Sequence, residues 1–333
     1  MKCRDLSYPG LLQECYKVDL KISDEQIKVI ERNTVDQAKG GAFVRHRAGR
    51  IGASKCHALN HTDPSQQSQS LIKTTCYPNI LRFSTAATKH GCKHEALAIA
   101  VYEKTMKETH ANSVVTKCGT IINKKYPFLH ATPDFLCEYD CCGQGCGEVK
   151  CPFCIEGLDF DSYVKIKASC LEKHGDEFML KREHDYYFQA QQQIHTAGRA
   201  YLDFIVFATD GASHRFVKQR LLPDIEHWET QIPKLETFWR SCDLPEILAR
   251  WYTRKMDLKS QISPRESRLS GDCYCRQSAN EGTITCANLE RRVSTFHPSC
   301  LCINKLKVPK VWYCPHCRRL PQFTRANPRN CQI

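Results

Sequence analysis

Cysteine most constrains how this chain can fold, because 22 of its 333 residues are cysteines. The N-terminal sequence, MKCRDLSYPG, lacks the apolar core of a secretory signal peptide. Without a secretory route, clustered cysteines predict zinc ligands or free thiols rather than disulfides. We therefore expect a nuclear protein, with a cytosolic location as the alternative.

The net charge indicates the class of partner. Lysine and arginine give the chain a formal charge of +12. Because phosphate contacts supply most non-specific affinity for nucleic acids, this surplus suits DNA, although an unspecialised basic surface fits charge alone equally well. The longest apolar stretches, residues 96–102 and 204–208, are far too short to span a bilayer, so we expect no membrane partner.

Composition divides the chain into five segments. They are a lead-in (1–34), a domain of mixed helices and strands (35–252), a polar linker (253–270), a cysteine-rich module (271–320) and a tail (321–333). Within the large domain, apolar spacing predicts helices over 84–105, 184–196 and 224–240 and a buried strand over 201–207. We expect the first of these helices to pack through the following apolar residues: Ala86, Ala87, Ala96, Leu97, Ala100 and Val101.

One segment of the large domain carries oxygen ligands that suit magnesium. Glu148 lies fourteen residues after Asp134 and is followed by Val149 and Lys150. Mg²⁺ binds one or two carboxylates together with waters and phosphate oxygens, and two strands of a hairpin would hold both acids near one ion. Lys150 would share a strand face with Glu148, whereas Val149 would point away and offer its carbonyl. Taken alone, these residues also fit a solvated hairpin that carries an ion pair.

Further motifs stand in order around this segment. RHRAGRIGAS (45–54), KHGCKHEALA (89–98) and DYYFQAQQQI (185–194) flank the TPDF and EVKCPF runs. Together they resemble the lambda exonuclease and YqaJ-type viral recombinase family of PD-(D/E)xK nucleases, over about residues 40 to 240. The resemblance implies an α/β (α+β) fold of the restriction-endonuclease type, with a mixed sheet flanked by helices.

The same resemblance implies a Mg²⁺- or Mn²⁺-dependent DNA exonuclease of 5′→3′ polarity, or a recombination nuclease. Glu95, Asp134, Glu148 and the Val149 carbonyl would hold the metal, and Lys150 would orient or deprotonate the attacking water. The implied phosphate- or DNA-binding residues are Arg47, Ser54, Thr132, Tyr186, Gln189 and Gln191. The family also implies a homo-oligomer. The alternative function is an inactive fold that binds DNA or chromatin.

Cysteines crowd the segment between Asp134 and residue 154. A small zinc-bound hairpin would use, for example, Cys137, Cys142, Cys146 and Cys154. Their spacing is not that of a standard zinc knuckle, so free thiols are the alternative.

The cysteine-rich module contains, in order, Cys273-x-Cys275, Cys286, His297-x-x-Cys300 and Cys314-x-x-Cys317, the last pair after Trp312 and Tyr313. This order resembles that of a PHD finger, a small zinc-stabilised cross-brace. Tetrahedral zinc takes four ligands, and a segment with so little core needs metal to fold. The resemblance implies one zinc bound by Cys273, Cys275, His297 and Cys300. A second zinc would take Cys286, Cys314, Cys317 and a fourth ligand.

Two departures from the PHD pattern affect this module. Arg291 stands where the fourth ligand of the second zinc is expected. The alternatives are that Cys302 or His316 substitutes, or that the second site is weak or empty and the finger holds one ion. The positions that match an aromatic methyl-lysine cage are Asp272, Thr283 and Thr295, none of them aromatic. An unmodified histone tail, another protein or structural bracing is therefore the expected use of the finger.

Overall fold

The computed structural model describes residues 3–35, 41–66, 69–78, 85–210, 213–254, 283–288, 295–301, 308, 311–314 and 317. Contacts within the chain divide it into two units, Met1–Arg254 and Lys255–Ile333. In the described ranges, no helix combines the length and apolarity that a membrane crossing requires.

Several helices in the first unit begin at side chains that close the first turn. Ser23 forms a capping box with Gln26, and Thr85 forms one with Thr88. The α-helices are α1 (Tyr8–Lys17), α2 (Asp24–Thr34), α3 (Gly41–Arg47), α4 (Cys56–Asn60), α5 (Gln69–Cys76), α6 (Ala86–Thr109), α7 (Phe160–Tyr163), α8 (Asp185–Ala197), α9 (Ile225–Phe238) and α10 (Leu244–Ala249). Shorter helical turns are Cys3–Asp5, Ala53–Lys55, Phe153–Ile155, the π-helical Trp239–Asp243 and, in the second unit, Ser299–Leu301.

The strands form one large mixed sheet and smaller ones. They are β1 (Ile51–Gly52), β2 (Val114–Lys117), β3 (Ile121–Ile122), β4 (Leu129–Ala131), β5 (Phe135–Tyr139), β6 (Gly143–Lys150), β7 (Leu171–His174), β8 (Glu177–Leu180), β9 (Tyr201–Asp210), β10 (Ser213–Leu221), β11 (Ile284–Thr285) and β12 (Thr295–Phe296). The five-stranded sheet has the order β10-β9-β6-β5-β2. Only the β6–β9 pair in it is parallel, and the others are antiparallel. A second sheet has the order β1-β4-β3.

Helices cover both faces of the large sheet because β9 alternates two apolar sets. Tyr201, Ile205 and Phe207 face a core shared with α6. Their neighbours pack on the other face with α8; these are Leu202, Phe204, Val206 and Ala208. The expected mixed sheet flanked by helices is therefore confirmed, and so are the predicted helices α6, α8 and α9 and the strand β9.

The apolar side predicted for α6 was wrong except at Val101, which packs against the core. The other predicted residues are exposed: Ala86, Ala87, Ala96, Leu97 and Ala100. The buried positions are Ala98, Tyr102 and Met106, spaced four residues apart. The larger side chains determine the rotation of the helix, because Tyr102 also donates a hydrogen bond to the buried Asp203 (2.6 Å). This rotation matters for the site, since α6 carries Glu95.

A separate core joins residues before position 35 to the end of the first unit. Leu11 and Cys15 of α1 pack with Leu235, Phe238 and further residues of α9 and α10. Thr34, at the end of α2, accepts the backbone N–H of Thr120 (2.7 Å). The lead-in thus belongs to the compact unit of the large domain. The linker is outside the described residues except for positions 253 and 254, and the tail is wholly outside them.

Candidate active site

The centre of the site is the β5–β6 hairpin, as predicted from the sequence. The backbone N–H of Asp134 donates to the Gly147 carbonyl (3.0 Å), which places Asp134 at the start of β5 beside the end of β6. Gly147 is opposite Phe135, and a Cβ there would be 1.9 Å from the ring. A glycine therefore allows the two strands to approach closely next to the acidic residues.

Glu148 and Lys150 lie on one face of β6, which confirms the predicted alternation. The Lys150 Nζ is 2.6 Å from the Glu148 Oε1. Val149 is buried in the core on the opposite face, and its backbone N–H donates to the Asp134 Oδ2 (2.7 Å). The hairpin thus fixes both carboxylates relative to the backbone around Val149.

Helix α8 holds Glu148 from the other side. The Gln189 Nε2 donates to the Glu148 Oε1 (2.6 Å), and the Gln193 Nε2 donates to the Oε2 (2.6 Å). A separation of four residues puts both amides on one helix face. Lys150 also donates to the Gln189 Oε1 (3.3 Å). Glu148 is only 4% exposed, so these contacts determine where its carboxylate points.

The electrostatics of the centre are those of crowded acids around one lysine. Burial raises the pKa of Asp134 well above its ordinary value, and repulsion by Glu148 adds to this. Burial and Glu148 also raise the pKa of Glu95, on α6. Burial opposes the charge of Lys150, but attraction by Glu148 and Asp134 outweighs it, so the pKa of Lys150 is raised.

Glu95, Val149 and Lys150 line a cleft of about 340 Å³. Asp134 and Glu148 are not among its lining residues but are hydrogen-bonded to Val149 and Lys150. Gly91 and Glu95 of α6 line one side, and Lys150, Phe153 and Tyr186 line the other. The Lys150 ammonium is 4.4 Å from the centroid of the Tyr186 ring, a cation–π contact. The cleft therefore brings Glu95 to the residues of the hairpin, although α6 covers the opposite face of the sheet.

The donor set of this cleft fits a hard divalent cation. Glu95, Asp134 and Glu148 offer carboxylate oxygens, and Val149 offers a carbonyl, which are ligands of Mg²⁺ or Mn²⁺. The mutual repulsion that raises the pKa of Asp134 and Glu95 is what a cation would relieve. Their carboxylate oxygens do not all lie within 4.8 Å of one another. Such a separation is physically reasonable for acids that repel one another.

The other residues predicted to bind phosphate lie in or next to the second sheet, β1-β4-β3, which is the layer next to the cleft. Arg47 ends α3, Ser54 is exposed just after β1, and Thr132 follows β4, where its hydroxyl is 3.2 Å from that of Thr120. Strands β1 and β4 pair in parallel. The Gln192 Nε2 donates to the carbonyls of Ile51 and His130, in these strands (both 3.0 Å). The layer is thereby joined to the helix that holds Glu148.

Arg47 retains unused donor capacity. Its guanidinium stacks over the Phe43 ring (4.4 Å), and its buried Nε has no hydrogen-bond partner in the described part of the protein. Burial lowers the pKa of the nearby His130, and the charges of Arg47 and Arg50 lower it further. His130 therefore stays neutral beside Arg47.

Gln191, which was predicted to bind DNA, lies away from the site, whereas Gln193, which was not predicted, lies within it. The Gln191 Nε2 donates to the Leu222 carbonyl (3.0 Å), and its Oε1 accepts the Asp224 N–H (2.9 Å). Gln191 therefore fastens α8 to the start of α9, and it is not brought to the carboxylates. Gln193 is at the centre instead. The sequence feature that could have identified Gln193 is its spacing of four residues from Gln189, which puts both side chains on one helix face.

The four cysteines proposed for a zinc-bound hairpin do not come together. Cys137 packs in the core on the α6 face of the sheet, and Cys146 packs in the core on the α8 face. Cys154 is exposed in the turn after β6. This zinc set is wrong, because strand alternation sends Cys137 and Cys146 to opposite faces, and both are free thiols.

In the second unit, the described ligands of the predicted finger are near one another in two groups. The sulfur atoms of Cys286, Cys314 and Cys317 all lie within 4.8 Å, and all three residues are buried. The Cys300 Sγ is 3.8 Å from the His297 Nδ1. Cys273, Cys275, Arg291, Cys302 and His316 lie outside the described residues. A PHD-type cross-brace therefore stays a prediction.

A family model matches part of the chain. Residues 42–200 match the model of the YqaJ-like viral recombinase domain. The curated proteins contain no match.

The chain is also similar to several solved structures. The alkaline exonuclease of Laribacter hongkongensis (LHK-Exo) is 22% identical with a TM-score of 0.43, and the alignment covers 62% of this chain and 95% of that one. Its complex with dAMP is 23% identical with a TM-score of 0.45 and the same coverage. The Shutoff and Exonuclease Protein of Kaposi's sarcoma-associated herpesvirus is 12% identical, with a TM-score of 0.40 and coverage of 74% and 76%.

Proposed function

We propose that this chain, which matches the model of the YqaJ-like viral recombinase domain over residues 42–200, is a metal-dependent DNA exonuclease that degrades a strand from its 5′ end. The observation that carries the proposal is the arrangement of Glu148. Both of its oxygens are fixed by Lys150, Gln189 and Gln193. Asp134 and Glu95 lie close enough to repel its charge, and Glu95 lines the adjoining cleft.

Glu95, Asp134, Glu148 and the Val149 carbonyl would hold one or two Mg²⁺ or Mn²⁺ ions. When bound, the metal supplies charge neutralisation at the scissile phosphate and acidifies a coordinated water. Lys150 places its ammonium over the same cleft and would offset the charge that develops on the phosphate. Its Nζ is already held by Glu148 and Gln189, so little reorganisation is needed during the reaction.

Arg47, Ser54 and Thr132 would bind the terminal 5′-phosphate, and Tyr186 and Gln189 would contact the DNA near the metal. Arg47 suits the phosphate because its fork donates two hydrogen bonds to an anion and its buried Nε keeps a free N–H. The +12 charge of the chain favours the approach of DNA. Gln191 has no part in this proposal, since both the nitrogen and the oxygen of its side-chain amide are used within the fold.

The decisive experiment incubates the purified chain with linear duplex DNA, 5′-phosphorylated or not, in Mg²⁺ or EDTA. Lys150→Ala should lower the rate of Mg²⁺-dependent degradation by about 10²–10³-fold, the usual cost of losing one charge-stabilising group. Lys107→Ala is the matched control, because Lys107 also pairs with a glutamate at 2.7 Å, Glu103, but does so at the surface. Its rate should equal that of the wild type.

Two further results decide between the alternatives. Arg47→Ala should remove the preference for a 5′-phosphate while leaving slow cleavage, and an unchanged preference would contradict the 5′-end pocket. DNA binding without Mg²⁺-dependent loss of DNA, in the wild type as in Lys150→Ala, would contradict the exonuclease and support the inactive, binding-only protein.

For the second unit, we propose zinc bound by a PHD-type finger and a protein partner such as a histone tail, in the nucleus. The close approach of Cys286, Cys314 and Cys317 supports this. Cys314→Ser with Cys317→Ser should lower the zinc content by about one ion per chain, and unchanged zinc would refute the second finger site.

A further inference from the structure

The turn of the β5–β6 hairpin is fastened to the end of α6. The Asp140 backbone N–H donates to the Ala111 carbonyl (3.4 Å), and the Asn112 amide donates to the Asp140 carboxylate (2.7 Å). The His110 and Tyr139 rings are in contact, with centroids 4.6 Å apart. Two segments that are thirty residues apart in sequence are therefore held in a fixed relation.

Three metal-ligating side chains meet at this junction. One ligand atom each of His110, Cys141 and Cys142 lies within 4.8 Å of the other two. The two sulfur atoms are 3.4 Å apart. Tetrahedral zinc with Zn–S bonds of about 2.3 Å separates two thiolates by about 3.8 Å, so binding would require a shift of only a few tenths of an ångström.

The hydrogen bonding of His110 selects the nitrogen that is left for a ligand. Its Nδ1 is 2.8 Å from the Thr109 hydroxyl, whose own proton goes to the Thr105 carbonyl (3.0 Å). In the tautomer that fits this network the Nδ1 is the donor, and the Nε2 keeps its lone pair. Metal-binding histidines are commonly oriented by such a second hydrogen bond.

Charge at the junction is also balanced for a divalent ion. The Arg220 guanidinium is near Cys142, and its charge is matched by Asp203, whose oxygens accept from the guanidinium at 2.8 and 2.9 Å. Two thiolates would then balance one zinc ion. Thiolate and imidazole ligands favour zinc over Mg²⁺, which distinguishes this junction from the acidic cleft.

We propose that His110, Cys141 and Cys142 form a zinc-binding site, with solvent as the fourth ligand. Cys141 is exposed, so the site is open to exchange. The ion joins the end of α6, which carries Glu95, to the hairpin that carries Asp134 and Glu148. Cys142 is about 20 Å from Glu148 along β6, so the zinc braces the scaffold and is separate from the cleft. This proposal is independent of nuclease activity.

Zinc content of the full chain tests the site. Wild type, Cys141→Ser/Cys142→Ser, His110→Gln and the control Cys92→Ser are purified without chelators, and zinc per chain is measured by mass spectrometry. Cys92 is an exposed thiol of α6 outside the junction. Ions held elsewhere in the chain contribute equally to all four proteins. We expect the double variant to hold about one ion fewer than wild type and Cys92→Ser to match wild type.

Replacement by Co²⁺ gives a second readout. The double variant should lose the near-ultraviolet thiolate-to-cobalt absorption of one site, and His110→Gln should weaken cobalt binding. If circular dichroism shows that the double variant is unfolded, His110→Gln decides alone. Equal zinc and cobalt binding in wild type and the folded variants would overturn the proposal. A Cys141–Cys142 disulfide as the main form of the freshly purified protein would also overturn it.

Discussion

Two glutamines of α8 offer a matched test of the active-site geometry. Gln191 and Gln193 are each only 1% exposed and belong to the same helix. The Gln193 amide holds the Glu148 Oε2 at 2.6 Å, whereas Gln191 joins the Leu222 carbonyl to the Asp224 N–H. Methionine is similar in length to glutamine and has no amide. Replacing each glutamine with methionine therefore removes its hydrogen bonds with little change in volume.

The contacts determine the expected magnitudes. A hydrogen bond to a charged group contributes about 1.5–3 kcal/mol, and loss of a group that orients a metal ligand costs about 10–100-fold in metal affinity or activity. We therefore expect Gln193→Met to lower kcat/KM for DNA degradation by about 10–100-fold. Gln191→Met removes the partner of the Leu222 carbonyl and the Asp224 N–H, which are only partly buried, so it should cost less than the roughly 1–3 kcal/mol of a fully buried group. Its activity at low temperature should stay close to that of the wild type.

Three measurements on the two variants distinguish an effect on the position of the Glu148 carboxylate from an effect on the stability of the protein. Thermal unfolding gives the stability of each protein, and DNA degradation well below both melting temperatures gives kcat/KM. Calorimetric titration with Mn²⁺ reports on the Glu148 carboxylate without turnover, and we expect weaker binding in Gln193→Met alone.

The reasoning would be refuted by equal losses of activity in the two variants. It would also be refuted if the Gln193→Met variant retained more than half of the wild-type kcat/KM. If neither protein nor the wild type degrades DNA, the Mn²⁺ titration still tests the arrangement of Glu148.

Two further predictions concern stability. Arg220→Met should lower the free energy of unfolding by about 3–5 kcal/mol, because it leaves the fully buried Asp203 carboxylate without its ion pair. Adding Asp203→Asn to the same chain should restore most of this loss, as measured by thermal unfolding. Burial acts to raise the pKa of Asp224, but hydrogen bonds from Tyr187 and the His227 N–H outweigh it and lower this pKa. Its stabilising effect should therefore be complete above the ordinary aspartate pKa and be lost as the pH falls through the lowered value, so Asp224→Asn should flatten the melting temperature between about pH 2 and 5.

Much of the site follows from local periodicity, which the sequence contains. Residues two apart on a strand share a face, so Glu148 and Lys150 were correctly placed together and Val149 opposite them. Glycine at position 147 and the acid at position 134 are likewise local features of a tight hairpin. The helices α8 and α9 and the strand β9 follow from the spacing of apolar residues and from capping side chains.

Other parts depend on how elements pack, and no local pattern contains that information. The bulk of Tyr102 and Met106, rather than the alanines, decides the rotation of α6 and thereby where Glu95 lies. The rotation of α8 decides that Gln193 faces Glu148 while Gln191 faces α9. Contacts across thirty residues bring His110 to Cys141, although sequence proximity suggested other cysteines. Periodicity determines which residues share a face, but only burial against a particular neighbour decides what that face contacts.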